Sequence, residues 1–354
     1  MNSLFKKITI IGLGLIGSSI ARAVREGQLA SVIVGVDSNE TALVYAQKHG
    51  FVDQTSRDAT HLIAGSDVVI IATPTPLLVD ICRRIAPHLS PGTLVMDTGS
   101  VKAAPLAVMT GQLPSHALIV PAHPIAGSEQ SGVTAGRADL LLKKRVIITP
   151  EVPLTHEQLT LVNRFWEALG ARVEAMPAAM HDTIYGYVSH LPQLLAFAAA
   201  PVVAADEGEL SGNESLTRFL RIANSSHDLW DDIFSLNRDV LLAAIDRYLD
   251  VVTHIRKELS SAPADTESAI SSSARISFFP RIVSACLITT VMEAEKNAGV
   301  PFVRFSGSGF ADFTAPATTD PEGELEHISS HYAQIGELLD AFITRLQALR
   351  KTLE

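Results

Sequence analysis

Apolar runs and amphipathic stretches alternate along the first half of the chain. The runs are rich in Val and Ile, which is typical of strands that are buried on both faces of a sheet. The alternation predicts an α/β domain with a doubly wound parallel sheet, whose strands are KITIIG, SVIVGVD, SDVVIIATP, TLVMDTGS and LIVPAHPIAG. An amphipathic helix between two further strands, RVIITP and RVEAMP, completes this half.

The second half of the chain shows helical periodicity only. From about residue 177, apolar residues recur at helical spacing, most clearly in YGYVSHLPQLLAFAAAPVVAA and DVLLAAIDRYLDVVTHIRKEL. A chain of 354 residues is long enough for two domains. We therefore predict a sheet domain over residues 1–176 and an all-α domain over residues 177–354.

The all-α domain contains three segments that return in the same order. LPQLLAFAAAPVVAA returns as FPRIVSACLITTVMEAE, TRFLRIANSSHDLWDDI as ADFTAPATTDPEGELEHI, and LLAAIDRYLDVV as IGELLDAFITRL. The offset grows from 88 residues at the prolines to 94 near Ala315, so the alignment needs one loop insertion. Amphipathic helices also resemble one another by chance. Three matches in order favour an internal duplication, with copies over about residues 177–262 and 266–354.

Composition and charge narrow the class of protein. The chain is 47% hydrophobic and 19% charged, which excludes a disordered protein. Its net charge of −10 argues against nonspecific binding to nucleic acid or to an anionic membrane. The two cysteines, Cys82 and Cys286, lie far apart in apolar stretches, so we expect buried thiols in a cytoplasmic protein and no metal site.

Two apolar stretches resemble membrane-directed segments. LFKKITIIGLGLIGSSIARA has the order of a signal peptide, but spaced glycines interrupt its apolar part. LPQLLAFAAAPVVAA holds two prolines, so we expect it to be too short and too broken to span a bilayer. The sequence therefore predicts a soluble protein.

The glycines of the first strand–turn–helix unit fit the pattern G-x-G-x-x-G. Gly12 permits the tight turn, Gly14 lets a pyrophosphate approach the backbone, and Gly17 lets the helix pack closely on the strand. Asp37 ends the next strand, where a carboxylate binds the ribose hydroxyls and repels a 2′-phosphate. We predict a Rossmann domain that binds NAD in preference to NADP, through these four residues and their neighbours Leu15, Ile16 and Thr73.

Polar side chains follow two later strands of the predicted sheet. Ser100 and Lys102 come after the strand TLVMD, whereas His123 and Glu129 belong to the last run and the loop after it. The carboxyl ends of parallel strands form the ligand-binding edge of such a sheet. Singly, each residue is as easily a helix cap or a solvated surface group. Together they favour chemistry, with His123 as a general base because imidazole titrates near neutrality.

Five motifs, in this order, resemble those of the prephenate/arogenate dehydrogenase family of tyrosine biosynthesis. They are GLGLIG, DTGSVK, HPIAGSEQSG, VSHLP and RIANSSHDLWDDIFSLNRD, and the resemblance covers residues 8 to about 262. It implies a Rossmann domain followed by a helical domain that usually dimerises, with the active site between them. It also implies an NAD(P)-dependent oxidative decarboxylation, in which prephenate loses hydride and CO₂ as its ring becomes aromatic.

The resemblance also implies roles for individual residues. His123 matches the histidine that takes the hydroxyl proton, and Ser100 matches the serine that orients that histidine. Arg221 matches the arginine that holds a substrate carboxylate. His190 matches a histidine near the substrate, and Glu129 matches a glutamate that is paired with the arginine.

Two positions depart from the family pattern. Arg218 stands where the family commonly has an aspartate, and Gln193 stands where it has a histidine. An arginine in place of an acid favours prephenate, which carries two carboxylates, over arogenate, whose amino group prefers an acid. We therefore expect Arg218, Arg221 and Gln193 to contact the substrate in a locally positive pocket of an acidic protein.

The second helical copy differs from the first at these positions. It keeps an aspartate, Asp312, but has Ala315 where the arginine would stand. We expect a degenerate copy that replaces the helices of a partner subunit, which would make the chain a monomer with a pseudo-dimeric helical domain. A homodimer is the alternative. No ACT-like βαββαβ pattern follows the helices, so we expect no regulatory domain of that kind.

Three other activities stay open on the sequence alone. An arogenate dehydrogenase would share every motif named above. A β-hydroxyacid dehydrogenase would have a similar plan, but such enzymes usually work through a helical lysine, and HPIAGSE argues against one here. A catalytically silent NAD-binding homologue would have no need to keep Ser100, His123, His190 and Arg221 together. The motifs favour an NAD-dependent prephenate dehydrogenase.

Overall fold

The structure, a computed structural model, describes residues 3–126, 130–150, 154–203, 214–260, 271, 274–318 and 331–354. The chain divides into two compact units, Met1–Asp182 and Thr183–Glu354. The domain boundary between residues 176 and 177 stays a prediction. The boundary between the two helical copies, at residues 262 to 266, lies outside the described residues.

The main sheet of the first unit has six parallel strands, as the sequence predicts. In spatial order it runs β3-β2-β1-β4-β5-β6, so the order reverses between β1 and β4. The strands are β1 (Phe5–Ile11), β2 (Ala30–Val36), β3 (Gln54–Ser56), β4 (Val68–Ile71), β5 (Leu94–Asp97) and β6 (Leu118–Ile119). The connecting helices are α1 (Leu15–Glu26), α2 (Glu40–Lys48), α3 (Leu78–Ile85) and α4 (Ala103–Gln112). Sequence analysis missed only β3, whose residues QTS are short and polar.

Both faces of this sheet are covered, which explains the continuous apolar runs. Along β4, Val68 and Ile70 belong to one hydrophobic cluster, and Val69 and Ile71 belong to another. Successive side chains of a strand point to opposite faces, so each face needs its own apolar set.

The first unit contains a second sheet, and its presence shows that one predicted strand was wrong. The run LIVPAHPIAG does not form one strand of the parallel sheet. It divides into β6 and β7 (Ala122–Pro124), and β7 pairs antiparallel with β8 (Arg145–Ile148). β8 pairs in parallel with β9 (Arg172–Ala175), and α5 (His156–Ala168) connects the two. The break falls at Pro121, whose carbonyl oxygen accepts a hydrogen bond from the Thr149 N–H at 2.9 Å and so already belongs to the second sheet.

The second unit is helical throughout its described part. The first copy contains α6 (Ala178–Tyr185), a π-helical turn (Gly186–His190), α7 (Leu191–Val203), α8 (Glu214–Arg221), α9 (His227–Leu236) and α10 (Arg238–Ser260). The second copy contains a π-helical turn (Ala274–Phe278), α11 (Phe279–Ala298), α12 (Ser308–Thr318) and α13 (Tyr332–Leu353).

Each copy has a π-helical turn directly before a proline. Pro192 is the second residue of α7 and Pro280 is the second residue of α11. A proline inside a continuous α-helix would clash with the carbonyl four residues earlier and would remove a hydrogen bond. The extra residue of a π-helical turn relieves that clash, so the helix continues through the proline. The two copies thus share a local irregularity as well as a sequence pattern.

Residues at equivalent positions of the two copies contact each other. Phe219 and Phe313 are equivalent in the repeat alignment, and their rings lie with centroids 4.6 Å apart and planes tilted by 35°. Tyr248 and Phe342 are equivalent too, and their rings meet edge to face at 6.1 Å. In an isologous dimer, equivalent residues of the two subunits contact each other where the two-fold axis passes between them. The second unit therefore has the contacts of a pseudo-two-fold axis within one chain.

Two ion pairs between α10 and α13 are reciprocal in the same way. Arg256 Nη2 lies 2.7 Å from Asp340 Oδ2, and Arg350 Nε lies 2.5 Å from Asp246 Oδ1. The alignment makes Arg256 equivalent to Arg350 and Asp246 equivalent to Asp340. Each copy thus donates the arginine of one pair and the aspartate of the other, as in the isologous interface of a dimer.

Two helical stretches are long and apolar enough to cross a membrane, Ala178–Val203 and Ala274–Ala298. The expectation that prolines break the first stretch was wrong, because the π-helical turn carries the helix through Pro192. Within the apolar window, 72% of the first stretch and 50% of the second are buried inside the structure. The core helices of a soluble protein pass the same test of length and composition.

Candidate functional site

The glycine turn between β1 and α1 has the geometry that its spacing predicts. Gly12 has a φ of 93°, and a Cβ there would lie 2.7 Å from the carbonyl oxygen of Ala72. A Cβ on Gly17 would lie 1.9 Å from the carbonyl oxygen of Gly12, so only glycine lets α1 pack this closely. At Gly14, by contrast, a Cβ would meet nothing within 4 Å. The space beside Gly14 is where a phosphate group can approach the backbone.

Backbone and side-chain polar groups lie near the glycine turn. Leu15 and Ile16 begin α1, and the N–H groups of a first helical turn have no partner within the helix. Thr73 lies beside Gly12, after β4, and its Oγ1 is buried with no hydrogen-bond partner in the described part of the chain. An orphaned buried hydroxyl is uncommon in folded proteins. Together these groups fit the pyrophosphate of a dinucleotide.

Asp37 stands at the end of β2, next to the glycine turn. Its Oδ2 accepts a hydrogen bond from the Leu13 N–H at 2.7 Å, and its Oδ1 accepts one from the Asn39 N–H at 2.8 Å. These bonds hold the carboxylate in the position from which a ribose diol is bound in such domains. The residues present therefore fit NAD.

His123 lies in β7, just beyond the carboxyl end of β6, and is hydrogen-bonded to a second histidine. Its Nδ1 lies 2.8 Å from His181 Nε2. His181 Nδ1 lies 2.8 Å from Asp182 Oδ1, and the His181 side chain is fully buried. The same carboxylate accepts the backbone N–H groups of Lys102 at 2.7 Å and Ala103 at 2.8 Å. His123 is thus the outer member of a His–His–Asp chain that is fixed at the N-terminus of α4.

Lys102 is fully buried and is not a solvated residue of the binding edge. Its Nζ contacts both carboxylate oxygens of Asp97, at 2.6 and 2.5 Å, and donates to the carbonyl oxygen of Ala122 at 2.7 Å. Burial raises the pKa of Asp97 and lowers that of Lys102, while the contact between them opposes both shifts. Through Ala122, Lys102 joins the end of β5 to the strand that carries His123.

The other two candidates of this unit remain predictions. Ser100 is half-buried, three residues beyond the end of β5. The structure shows an orienting contact of His123 with His181, and the orienting role of Ser100 stays a prediction. Glu129 lies outside the described residues.

In the helical unit, both arginines of α8 share one carboxylate from the second copy. Arg218 Nε lies 3.0 Å from Asp312 Oδ1, and Arg221 Nε lies 3.1 Å from Asp312 Oδ2. The three groups carry one net positive charge. Arg218 therefore does not add an uncompensated positive charge, which weakens the expectation that it selects prephenate over arogenate.

His190, Trp230 and Gln193 lie near the π-helical turn of the first copy. His190 is buried, its Nδ1 lies 3.0 Å from Asn237 Nδ2, and its ring meets that of Trp230 edge to face at 6.2 Å. Gln193 is also buried, and its Nε2 donates to the carbonyl oxygen of Ile222 at 2.7 Å. That bond joins α7 to the turn after α8, so the contact observed for Gln193 is structural.

Sequence analysis missed His181 and Asp182 as site residues. They stand side by side in the stretch AAMHDTIYGYVSHLP, where two polar residues interrupt an otherwise apolar helix. Both are buried, which is uncommon for such residues unless they are paired. That interruption is the signal that could have found them. Within the described residues no group of three or more His, Cys, Asp or Glu side chains could hold a metal ion.

Two protein families match consecutive parts of the chain. Residues 20–175 match the nucleotide-binding domain of prephenate dehydrogenase. Residues 177–270 and residues 271–354 each match the dimerization domain of prephenate dehydrogenase. The dimerization domain thus matches this single chain twice.

Individual relatives agree with the family matches. The cyclohexadienyl dehydrogenase of Zymomonas mobilis is 31% identical over 271 residues, which are 74% of this chain and 92% of that protein. The prephenate dehydrogenase of Bacillus subtilis is 28% identical over 274 residues, 75% of this chain and 73% of that protein. The crystal structure of A. aeolicus prephenate dehydrogenase with hydroxyphenyl propionate and NAD⁺ has a TM-score of 0.66 at 28% identity, covering 83% of this chain and 97% of that chain. The chain described here belongs to the prephenate dehydrogenase family.

Proposed function

We propose that this enzyme converts prephenate to 4-hydroxyphenylpyruvate by NAD-dependent oxidative decarboxylation, as a step of tyrosine biosynthesis. The observation that carries the proposal is His123, a histidine beyond the carboxyl edge of a nucleotide-binding sheet whose Nδ1 is engaged by a buried partner. Relatives named prephenate dehydrogenase and cyclohexadienyl dehydrogenase support the same reaction. So does the relative whose crystal structure holds hydroxyphenyl propionate and NAD⁺.

The chemistry follows from the roles of the side chains. Bound NAD supplies the hydride acceptor. His123 takes the proton of the 4-hydroxyl group as hydride leaves the ring carbon that carries it. The electron pair of the bond to the ring carboxylate then enters the ring, CO₂ departs, and the phenolic oxygen regains a proton. Ser100 orients His123 and the substrate, as it does in the family pattern.

The experiment that tests this function is an absorbance assay for NADH with purified enzyme, NAD and either prephenate or arogenate. Turnover with prephenate supports the proposal. Arogenate is the second candidate substrate, and Asp312 is the observation that favours it, because an acid beside Arg218 and Arg221 could bind an amino group. Preference for arogenate would keep the fold and the base but would replace the substrate. Turnover with neither would leave a silent NAD-binding homologue.

Asp37→Ala is expected to weaken NAD binding and to reduce the discrimination against NADP. The carboxylate that would bind both ribose hydroxyls is lost, and with it the repulsion of a 2′-phosphate. The measurement is the ratio of kcat/KM for the two cofactors, with Asp67→Ala as a control, since Asp67 bonds to the opposite end of β1. An unchanged ratio in Asp37→Ala would remove Asp37 from the cofactor site.

Arg221→Ala is expected to raise KM for prephenate by about tenfold to a hundredfold with little change in kcat. Hydrogen bonds to charged groups contribute about 1.5–3 kcal/mol, and this contact is made in the ground state as well as the transition state. Arg345→Ala, an exposed arginine of α13, is the matched control. If KM stays at the wild-type value, Arg221 does not anchor a substrate carboxylate. We also propose His190 and Glu129 as substrate-binding residues, because the family pattern implies that role for each.

We further propose that the enzyme acts as a monomer whose helical unit is a pseudo-dimer. Three observations support this proposal. Both halves of the unit match the dimerization domain. Equivalent residues of the two copies contact each other, and the Arg256–Asp340 and Arg350–Asp246 pairs are reciprocal. Arg218 and Asp312, 94 residues apart and equivalent in the repeat, carry opposite charges, an arrangement that identical subunits cannot make across a two-fold axis.

Analytical ultracentrifugation is expected to give a mass near that of one chain, 37.9 kDa, at micromolar concentration. The second copy already occupies the surface with which a partner subunit's helices would pack. High salt is expected to leave the mass unchanged, because the two copies are covalently linked. A mass of two chains with exchanged helices would contradict the pseudo-dimer and would restore the homodimer.

We place the enzyme in the cytoplasm. Cys82 and Cys286 are free and buried, and burial raises the pKa of each thiol to about 12. Neither is a thiolate at neutral pH or a candidate for a disulfide, which suits a reducing compartment.

A further inference from the structure

We propose that His181 is a positioning residue that selects the reactive tautomer of His123. The inference rests on the proposed function, in which His123 is the base. It gives His181, to which the sequence motifs assigned no role, a part in the reaction. It starts from the hydrogen bond between the imidazole rings of His123 and His181.

The direction of the chain of hydrogen bonds is set by Asp182. Its carboxylate accepts the backbone N–H groups of Lys102 and Ala103 and also contacts His181 Nδ1. A carboxylate that accepts two N–H bonds is held in its ionised form, which has no proton to donate. The proton of the Asp182–His181 hydrogen bond therefore resides on His181 Nδ1.

The direction of the hydrogen bond between His181 and His123 follows from the direction of the bond between His181 and Asp182. A neutral imidazole has one N–H donor and one acceptor nitrogen, so His181 Nε2 is the acceptor. Full burial favours the neutral ring, and the charge of Asp182 is already countered by the N-terminus of α4 and by the neighbouring Lys102 ammonium group. His181 Nε2 must then accept a proton from His123 Nδ1, 2.8 Å away. This leaves the lone pair of His123 on Nε2.

The consequence is a base in one defined protonation state and orientation. Without His181, the His123 ring would exchange between two tautomers, and the one with Nε2–H cannot accept the substrate proton through that nitrogen. The same partner also fixes the rotation of the ring. Loss of His181 therefore lowers kcat by roughly tenfold or more, but less than the 10²–10⁴-fold that removal of a general base produces.

The direct test is ¹⁵N NMR of the full-length enzyme labelled with [¹⁵N]histidine. The signals of His123 are those that disappear in His123→Asn. The expected result is a protonated Nδ1 and an unprotonated Nε2 in the wild-type enzyme, and a mixture of tautomers in His181→Asn. An Nε2–H tautomer of His123 in the wild-type enzyme overturns the inference.

The kinetic test compares three variants at saturating NAD and prephenate. His181→Asn lowers kcat and leaves KM and NAD affinity near wild-type values. His181→Gln, whose amide oxygen can accept from His123, recovers part of the loss. His156→Asn, at the exposed start of α5, changes nothing. Wild-type kcat in His181→Asn overturns the inference.

The two tests also separate this inference from the proposed function. If His123→Asn retains full activity, the role of His123 as base fails, whereas the NMR spectrum still reports the tautomer. If the tautomer is wrong while His123→Asn is inactive, the base stands and the role of His181 fails. Should His181→Asn not fold, the wild-type spectrum and His181→Gln decide the question.

Discussion

His123→Asn is expected to lower kcat by about 10²- to 10⁴-fold, the range over which a positioned general base contributes to proton transfer. Asparagine is shorter than histidine and has no nitrogen lone pair that could accept the hydroxyl proton. The glycine turn, Thr73 and Asp37 are untouched, so NAD affinity should stay at the wild-type value. A loss confined to kcat is what removal of a transition-state interaction produces.

Two measurements make this prediction specific to the base. Equilibrium binding of NAD shows whether the nucleotide-binding unit is intact, and the exposed-site variant His156→Asn shows what a histidine replacement does by itself. The pH profile adds a third criterion, because the rise of kcat/KM with pH that a titrating base produces should disappear in His123→Asn. A variant with wild-type kcat would show that another group takes the hydroxyl proton.

Lys102→Met is expected to lower the free energy of unfolding by about 3–5 kcal/mol, since it leaves the Asp97 carboxylate buried without its partner. The Lys102 side chain is completely buried, and its Nζ has three oxygen partners at 2.7 Å or less. The bond to Ala122 is lost as well, so the strand that carries His123 loses a tether. Chemical denaturation monitored by tryptophan fluorescence gives the free energy.

The matched control removes both charges. The double variant Asp97→Leu/Lys102→Met has no uncompensated charge, and replacement of a buried ion pair by apolar groups is often close to neutral for stability. We therefore expect the double variant to be more stable than Lys102→Met. If both variants unfold at the same denaturant concentration, the cause is lost packing and not the buried charge.

The local pattern of apolar and polar residues determines much of the fold. Most strands of the parallel sheet and the glycine turn were predicted correctly, because each depends on neighbours in the chain and on a fixed period of apolar positions. The duplication was visible for a similar reason, since both copies preserve the proline that follows a π-helical turn. Family resemblance added the reaction and the substrate, because no pattern of spacing alone would have distinguished this chemistry from that of other dinucleotide enzymes.

The tertiary structure decided how the polar side chains pair. His123 contacts His181, 58 residues away, and Arg218 contacts Asp312, 94 residues away, and neither distance is encoded in a period of two or 3.6. The sequence left Lys102 open between a group of the ligand-binding edge and a solvated surface lysine, whereas in the structure a buried carboxylate and a carbonyl oxygen bind its ammonium group. Burial and partner choice depend on which segments meet in space. The sequence therefore determined the elements, the cofactor turn and the candidate base, and only packing determined which groups orient that base and balance its charged neighbours.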